Sequence, residues 1–452
     1  MLVLQVISTL LFCCVAYSVC YDYKKAFSDS LLFYEAQRSG KLPSDQRVKW
    51  RKDSALNDKG NNGEDLTGGY YDAGDFVKFG FPMAYTITVL SWGIIDYEDV
   101  YKSTGNLEYA QKAIKWGTDY FLKAHVSENE LYGQVGQGSS DHSYWGRPED
   151  MKMARPAYKI TASAPGSDLA GETAAALAAA SIVFKTANSS YSATLLNHAK
   201  QLFNFADTHR GIYSESISDA SGFYRSSSYA DELVWAAVWL YKATNDKTYL
   251  TKAESLYQTG NLQYSNGGFD WDTKTSGVEI LMSQVSSNTI HKTKAKSYLD
   301  YMVTNQQKTP KGLLYIDQWG TLRHATNIAY LLLQAARLGI GDAASYRKMA
   351  QSQVDYALGS TGFSYVIGEG SKYPTHAQHR SSSCPDAPAT CDWNTYSGQQ
   401  PNAHILYGAM VGGPDSNDGY TDVRSDYVHN EVACDYNAAY QGALAALIKL
   451  GV

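Results

Sequence analysis

The chain of 452 residues is 44% hydrophobic, 19% charged and 13% aromatic, with 36 tyrosines and 9 tryptophans, and its net charge is −6. This composition excludes a disordered chain and a coiled coil. The acidic balance, without lysine or arginine runs, excludes nucleic acid and anionic membranes as partners.

Residues 1–20, MLVLQVISTLLFCCVAYSVC, are apolar with small residues near their end, the pattern of a secretory signal peptide. Ser18 and Cys20 suit the −3 and −1 positions, so Tyr21 would begin the mature chain; cleavage after Ala16 is the alternative. No later stretch holds 18 uninterrupted apolar residues, so no membrane span is expected. A secreted, extracellular protein follows. No linker rich in Pro, Ser or Thr divides residues 21–452, which are read as a single domain.

Helical periodicity dominates the rest. Apolar residues recur at spacings of three and four over residues 31–40, 83–101, 107–126, 168–186, 194–211 and 230–244. They do so again over 247–260, 278–287, 292–307, 324–339, 346–360 and 436–452. Glycine closes several of these segments, as at a helix C-cap. The pattern predicts about twelve helices and an all-α protein. Twelve helices can stack as a superhelix or close as a ring of hairpins; no fixed 34- or 40-residue repeat is visible, which argues against a solenoid. Long connections fall at 39–81, 125–168 and 359–434, rich in Gly, Asp, Tyr and Trp. Loops of that length are usually functional, and a closed α/α barrel would gather them at one end over a cleft.

Once the leader is removed, three cysteines remain. Cys384 and Cys391 flank the short loop SCPDAPATC and are expected to form a disulfide in an oxidising compartment. Cys434 lies in an apolar helical stretch and reads as a buried thiol. One glycosylation sequon occurs, Asn188-Ser189-Ser190.

Three stretches carry candidate chemistry. GGYYDAGDFVKFGFP, residues 68–82, places Asp72 and Asp75 among glycines and rings. Turn formation and capping account for such aspartates as well, but the ring surface around them points to a substrate. YTDVRSDYVHNEVACDYNAA, residues 420–439, brings Glu431 just before the last helix, where it would also complement the helix dipole. GFSYVIGEGSKYPTHAQHRSSSC, residues 362–384, holds His376, His379 and Arg380, without a cysteine or carboxylate partner at zinc-like spacing. HExxH, GxSxG and GxGxxG are absent, which removes metalloprotease, serine hydrolase and dinucleotide readings.

These motifs together resemble glycoside hydrolase family 9 cellulases, close to the endoglucanases of termites and other wood-feeding arthropods. The resemblance covers the whole mature chain. YYDAGDFVKFGFP resembles the family's aspartate loop. YTDVRSDYVHNEVACDYNA fits its C-terminal signature through Asp422, Tyr427, Glu431, Ala433 and Asn437, and SYVIGEGSKYPTHAQHR resembles its histidine signature. One position departs: the family has histidine two residues before the arginine, where this chain has Gln378.

The resemblance implies an (α/α)6 barrel and inverting hydrolysis of internal β-1,4-glucosidic bonds in cellulose and cello-oligosaccharides. It makes Asp75 the general base, Asp72 the residue that orients the water and Glu431 the general acid, with Asp422 counted among the catalytic signature residues. Inversion needs base and acid about 6.5–9.5 Å apart. His142, His376, Gln378 and Arg380 are implied hydroxyl partners. Trp145, Trp271, Trp319 and Tyr436 are candidates for stacking on sugar faces, and core packing suits each of them as well. The chemistry requires no cofactor. A structural calcium ion is implied at SSSYADE, where Ser227, Asp231 and Glu232 offer hard oxygen ligands, with helix capping as the alternative. A monomer without an appended carbohydrate-binding module is expected. A non-catalytic glucan-binding protein on the same scaffold is the competing class, favoured only by Gln378.

Overall fold

Six helices that are buried over most of their length alternate along the chain with six that keep one side exposed, and this alternation sets the architecture. The structure is a computed structural model that describes residues 21–452; the leader assigned to residues 1–20 lies outside them. Among the described residues, twelve helices run eleven residues or longer. They are α1 (Tyr23–Ala36), α2 (Gly80–Ser103), α3 (Leu107–Ala124), α4 (Ser167–Phe184), α5 (Ser189–Thr208) and α6 (Ala230–Thr244). They continue as α7 (Lys247–Thr259), α8 (Thr275–Val285), α9 (Thr289–Thr304), α10 (Thr321–Arg337), α11 (Ala343–Leu358) and α12 (Cys434–Leu450).

The even-numbered helices pack side by side in the order α2, α4, α6, α8, α10, α12, and α12 returns to α2. Each carries one odd-numbered helix on its outside, and α1 fills the last place against α12. The result is an (α/α)6 barrel of six hairpins, closed by the two ends of the described chain.

Composition decides which helix goes inside. α4 reads SDLAGETAAALAAASIVF and is buried over almost its whole length; a helix apolar all round has no face for water. Among the described residues it is also the one helix long and apolar enough to cross a membrane, and here it is a barrel wall. α3, by contrast, buries one stripe and turns its lysines and Glu108 outward. Edge-to-face packing of Trp92 with Trp235, Trp239, Phe269 and Tyr330 fills the centre.

Capping separates the two ends of the barrel. At the turns from inner to outer helices, Asn188, Asp246, Asn288 and Asp342 cap α5, α7, α9 and α11 with their side chains. The six inner helices start at the other end, each without a side-chain cap. Their N-terminal N–H groups and positive dipole ends therefore face the long loops.

Four short antiparallel strands add to the helical frame: β1 (Lys78–Phe79), β2 (His125–Ser127), β3 (Glu130–Val135) and β4 (Ala157–Thr161). β3 is the hub, and its pairing of Val135 with Lys78 and Gln134 with Phe79 fixes the chain just after Asp75. Behind this strand Lys78 is fully buried between Asp58 and the Tyr120 ring. Cys384 and Cys391 are disulfide-bonded, and Cys434 is a buried thiol.

Candidate active site

Backbone hydrogen bonds stitch three distant loops together at the open end of the barrel. Cys434 N–H donates to the Asp72 carbonyl at 2.9 Å, which ties the aspartate loop to the start of α12. Arg380 N–H donates to the Gly74 carbonyl at 3.1 Å, and Gln378 N–H donates to the Asn430 carbonyl at 2.9 Å. Gly412 N–H donates to the Glu431 carbonyl at 2.9 Å. Asp72, Asp75 and Glu431 thus share one cleft of about 750 Å³, although Glu431 lies more than 350 residues along the chain.

The three carboxylates sit in different surroundings. Asp72 accepts the Tyr224 hydroxyl on Oδ2 at 2.5 Å, while Oδ1 is buried without a partner. Burial and then the Asp75 charge push its pKa well above the usual carboxylate range, against the Tyr224 hydrogen bond. Asp75 accepts the Ala73 N–H at 3.2 Å and lies 3.6 Å from His142 Nε2. Burial opposes its charge, but His142 and Arg380 together hold its pKa below the ordinary value. Glu431 is raised to about 8, by burial first and by the Asp75 charge second. At neutral pH the cleft therefore sets an ionised Asp75 against a protonated Glu431.

Arg380 reaches this pair indirectly. Its Nη1 donates to Asp141, whose carboxylate also accepts the Phe76 N–H. Asp75, Asp141 and His142 converge within 4.8 Å, and the Arg380 guanidinium supplies the compensating positive charge. On the far wall, Arg323 donates to Asp435 at 3.1 Å and to His324 Nε2 at 2.8 Å. Burial first and Arg323 second push the His324 pKa down to about 4. His324 is thus neutral, with its proton on Nδ1 facing Asp270 at 3.8 Å.

Of the residues singled out from the sequence, Asp72, Asp75, His142, Trp145, Trp271, Trp319, Gln378, Arg380, Glu431 and Tyr436 all line the cleft. Two do not. Asp422 accepts from the Thr375 and His376 N–H groups and from the Thr375 hydroxyl, and it faces His376 Nδ1 at 3.2 Å. His376 and Asp422 hold each other outside the cleft lining, in the loop that leads to Gln378. Ser227, Asp231 and Glu232 lie beside the cleft. Asp231 accepts the Lys274 N–H at 2.6 Å, Glu232 accepts the Lys274 ammonium at 2.9 Å, and Glu232 Oε2 is buried without a partner.

The ring candidates divide as well. Trp319 is 43% exposed and sits 5.3 Å from Tyr427, which leaves a face open to a ligand. Trp145 and Tyr436 are almost fully buried, with Arg323 over Tyr436. Trp271 packs edge-on against Tyr224, the partner of Asp72. Sequence inspection missed Tyr224, Asp270, His324, Arg323, Trp393 and Tyr396, all of which line the cleft. The motifs GFDWD and CDWNTY carried a signal for three of them, since each sets acids beside rings.

Opposed carboxylates in different protonation states, in an aromatic cleft on an α/α barrel, define a glycoside hydrolase. The chain belongs to glycosyl hydrolase family 9, whose model matches residues 23–444. It superposes on the endoglucanase of the termite Nasutitermes takasagoensis with a TM-score of 0.95 and 66% identity, over 96% of this chain and 100% of that one. It is 46% identical to Endoglucanase 5 of Arabidopsis thaliana, over 98% of this chain and 76% of the plant protein. Endoglucanase CelQ of Clostridium thermocellum, solved with cellotetraose, matches with a TM-score of 0.85 and 36% identity, over 95% of this chain and 70% of that one.

Proposed function

We propose that the protein is a secreted endo-β-1,4-glucanase that hydrolyses cellulose and cello-oligosaccharides with inversion. The observation that carries this reading is the opposed protonation of Asp75 and Glu431 across one cleft. Asp75 is the base that takes a proton from the attacking water. Asp72 orients that water, with Tyr224 fixing its Oδ2. Glu431 gives its proton to the leaving oxygen. Flat rings such as Trp319 take the apolar faces of the sugars, and His142, Gln378 and Arg380 take hydroxyls. The termite and bacterial endoglucanases named above support the substrate class, and the apolar leader with the Cys384–Cys391 disulfide supports secretion.

Proton NMR of the first products of cellopentaose hydrolysis tests the mechanism: the new reducing end appears as the α-anomer, and β-anomer first would overturn inversion. Reducing-sugar release from carboxymethylcellulose separates an enzyme from a non-catalytic binder.

Gln378 departs from the family's histidine, and its Oε1 is buried without a partner beside Glu431. Gln378→His is expected to raise turnover roughly threefold to thirtyfold, because a charge-assisted bond to a sugar hydroxyl exceeds a neutral one by about 0.5–2 kcal/mol. Steady-state rates on a soluble cello-oligosaccharide check this; equal turnover numbers would make the substitution neutral.

Ser227, Asp231 and Glu232 offer hard oxygens to a calcium ion, one of them the unpartnered Glu232 Oε2, although the buried Lys274 ammonium already holds Glu232 Oε1 and would have to give way. A thermal scan across a calcium titration is expected to show a rising melting temperature, since a ligand of the native state stabilises it; a flat titration would remove the site.

A further inference from the structure

The wall of the cleft formed by Trp393 and Tyr396 hangs on a side chain that never reaches the cleft chemistry. Asp392 opens a single helical turn over Trp393–Ser397 with a capping box to Thr395. Immediately before it, the Cys384–Cys391 disulfide closes a loop whose carbonyls at Pro385 and Ala389 accept from Arg147. Trp393 lies 5.9 Å from Trp145 and 5.2 Å from Tyr396, and it is 46% exposed. Its indole N–H donates to the Ser143 carbonyl, just after His142.

A turn this short has no helical stability of its own. Arg424 replaces it. The residue is 3% exposed, and its guanidinium donates to the carbonyls of Thr395, Tyr396, Gly398 and Gln400 at 2.8–3.3 Å, and to Asn402 Oδ1 at 2.8 Å. Five acceptors over eight residues converge on one cation, and no carboxylate hydrogen-bonds to it. A planar five-donor fork suits that arrangement, and a lysine ammonium cannot span it.

We propose that Trp393 and Tyr396 form a sugar-binding subsite on the cleft wall past His142, and that Arg424 is the positioning residue that builds it. The ligand is one glucosyl ring of a longer β-1,4-glucan, which lays its apolar face on the open indole. A ring as buried as Trp145 has too little exposed face for that purpose. The proposal rests on the glucanase reading above. It adds that this wall makes chain length matter, because a short substrate that spans only the catalytic residues leaves Trp393 untouched.

The test compares Arg424→Lys, Trp393→Ala and the double variant on cellohexaose and on an aryl cellobioside. Each single variant is expected to raise KM for cellohexaose about tenfold with little change in kcat, the signature of lost uniform binding, and to alter KM for the short substrate less than about twofold. The double variant is expected to be no weaker than either single one, since both remove the same contact. A role confined to stability would lower the melting temperature without this dependence on length. Equal losses on both substrates, or additive losses in the double variant, would overturn the proposal. If Arg424→Lys does not fold, Trp393→Ala decides alone, because its side chain is exposed; an unchanged KM for cellohexaose then refutes the subsite. Calorimetry of cellohexaose on Glu431→Gln protein, with and without Trp393→Ala, reads the subsite without turnover. Wild-type protein inert on both substrates, with Trp393-dependent binding intact, would sink the glucanase reading and leave the subsite standing.

Discussion

Glu431→Gln is expected to cut turnover on β-1,4-glucan at least about 10²-fold while leaving glucan binding intact, because general acid catalysis contributes typically 10²–10⁴-fold. Glutamine keeps the shape of the side chain and has no proton to give. The site makes the acid unusually dependent on its surroundings. Burial in the cleft raises the Glu431 pKa to about 8, and the Asp75 charge adds to that. The pH dependence follows with a definite sign. As the proposed general acid Glu431 must be protonated, so activity is expected to fall as pH rises through about 8. As the proposed base Asp75 must be ionised, and His142 and Arg380 hold it below the ordinary carboxylate range, so the acid limb is expected to lie lower still. The kcat/KM profile is therefore a broad bell. Removing the imidazole in His142→Ala should shift the acid limb upward, since His142 is the foremost group lowering the Asp75 pKa against its burial. Retention of more than about a tenth of wild-type turnover in Glu431→Gln would remove it from the acid's role.

The twelve long helices were legible because a 3.6-residue period over ten or more residues is a strong signal, and all twelve segments are helical. The inner ring could be guessed from the same strings: alanine-rich α4 has no polar face to show. The strands were not legible. Two to six residues do not establish an alternating pattern, and β1 exists only through its pairing with β3. The candidate site was legible where residues fall in motifs, as with Asp72, Asp75 and Glu431. It was not legible where function depends on which face of a ring is open. Trp145 and Trp393 look alike in the sequence, yet one is core and the other surface, and only the loop held by Arg424 decides between them. Asp422 illustrates the converse. It lies in the same signature as Glu431, but its hydrogen bonds go to the loop at residues 375 and 376, not into the cleft.

Gly74→Ala is expected to cost at least about 10²-fold in kcat/KM, since a misplacement of about 1 Å in a catalytic group has that effect. Gly74 sits between the two aspartates at the point where their loop touches the segment at Gln378. A Cβ there would lie 2.0 Å from the Gln378 carbonyl oxygen, 2.9 Å from its carbon and 3.1 Å from the His379 Cα. All three are backbone atoms, so no side chain can swing aside. The Arg380 N–H bond to the Gly74 carbonyl locks the same two strands of chain together from the other side. The loops must part, and they part between Asp75 and the segment that carries Gln378 and Arg380. Overpacking of this kind destabilises by roughly 1–3 kcal/mol, so the melting temperature falls along with the rate. Gly222 is the control. It also lines the cleft, but a Cβ there meets nothing within 4 Å, so Gly222→Ala should leave the melting temperature in place. Wild-type rate and melting temperature in Gly74→Ala would mean that the aspartate loop tolerates displacement, and that its tight seat against Gln378 does not set the position of Asp75.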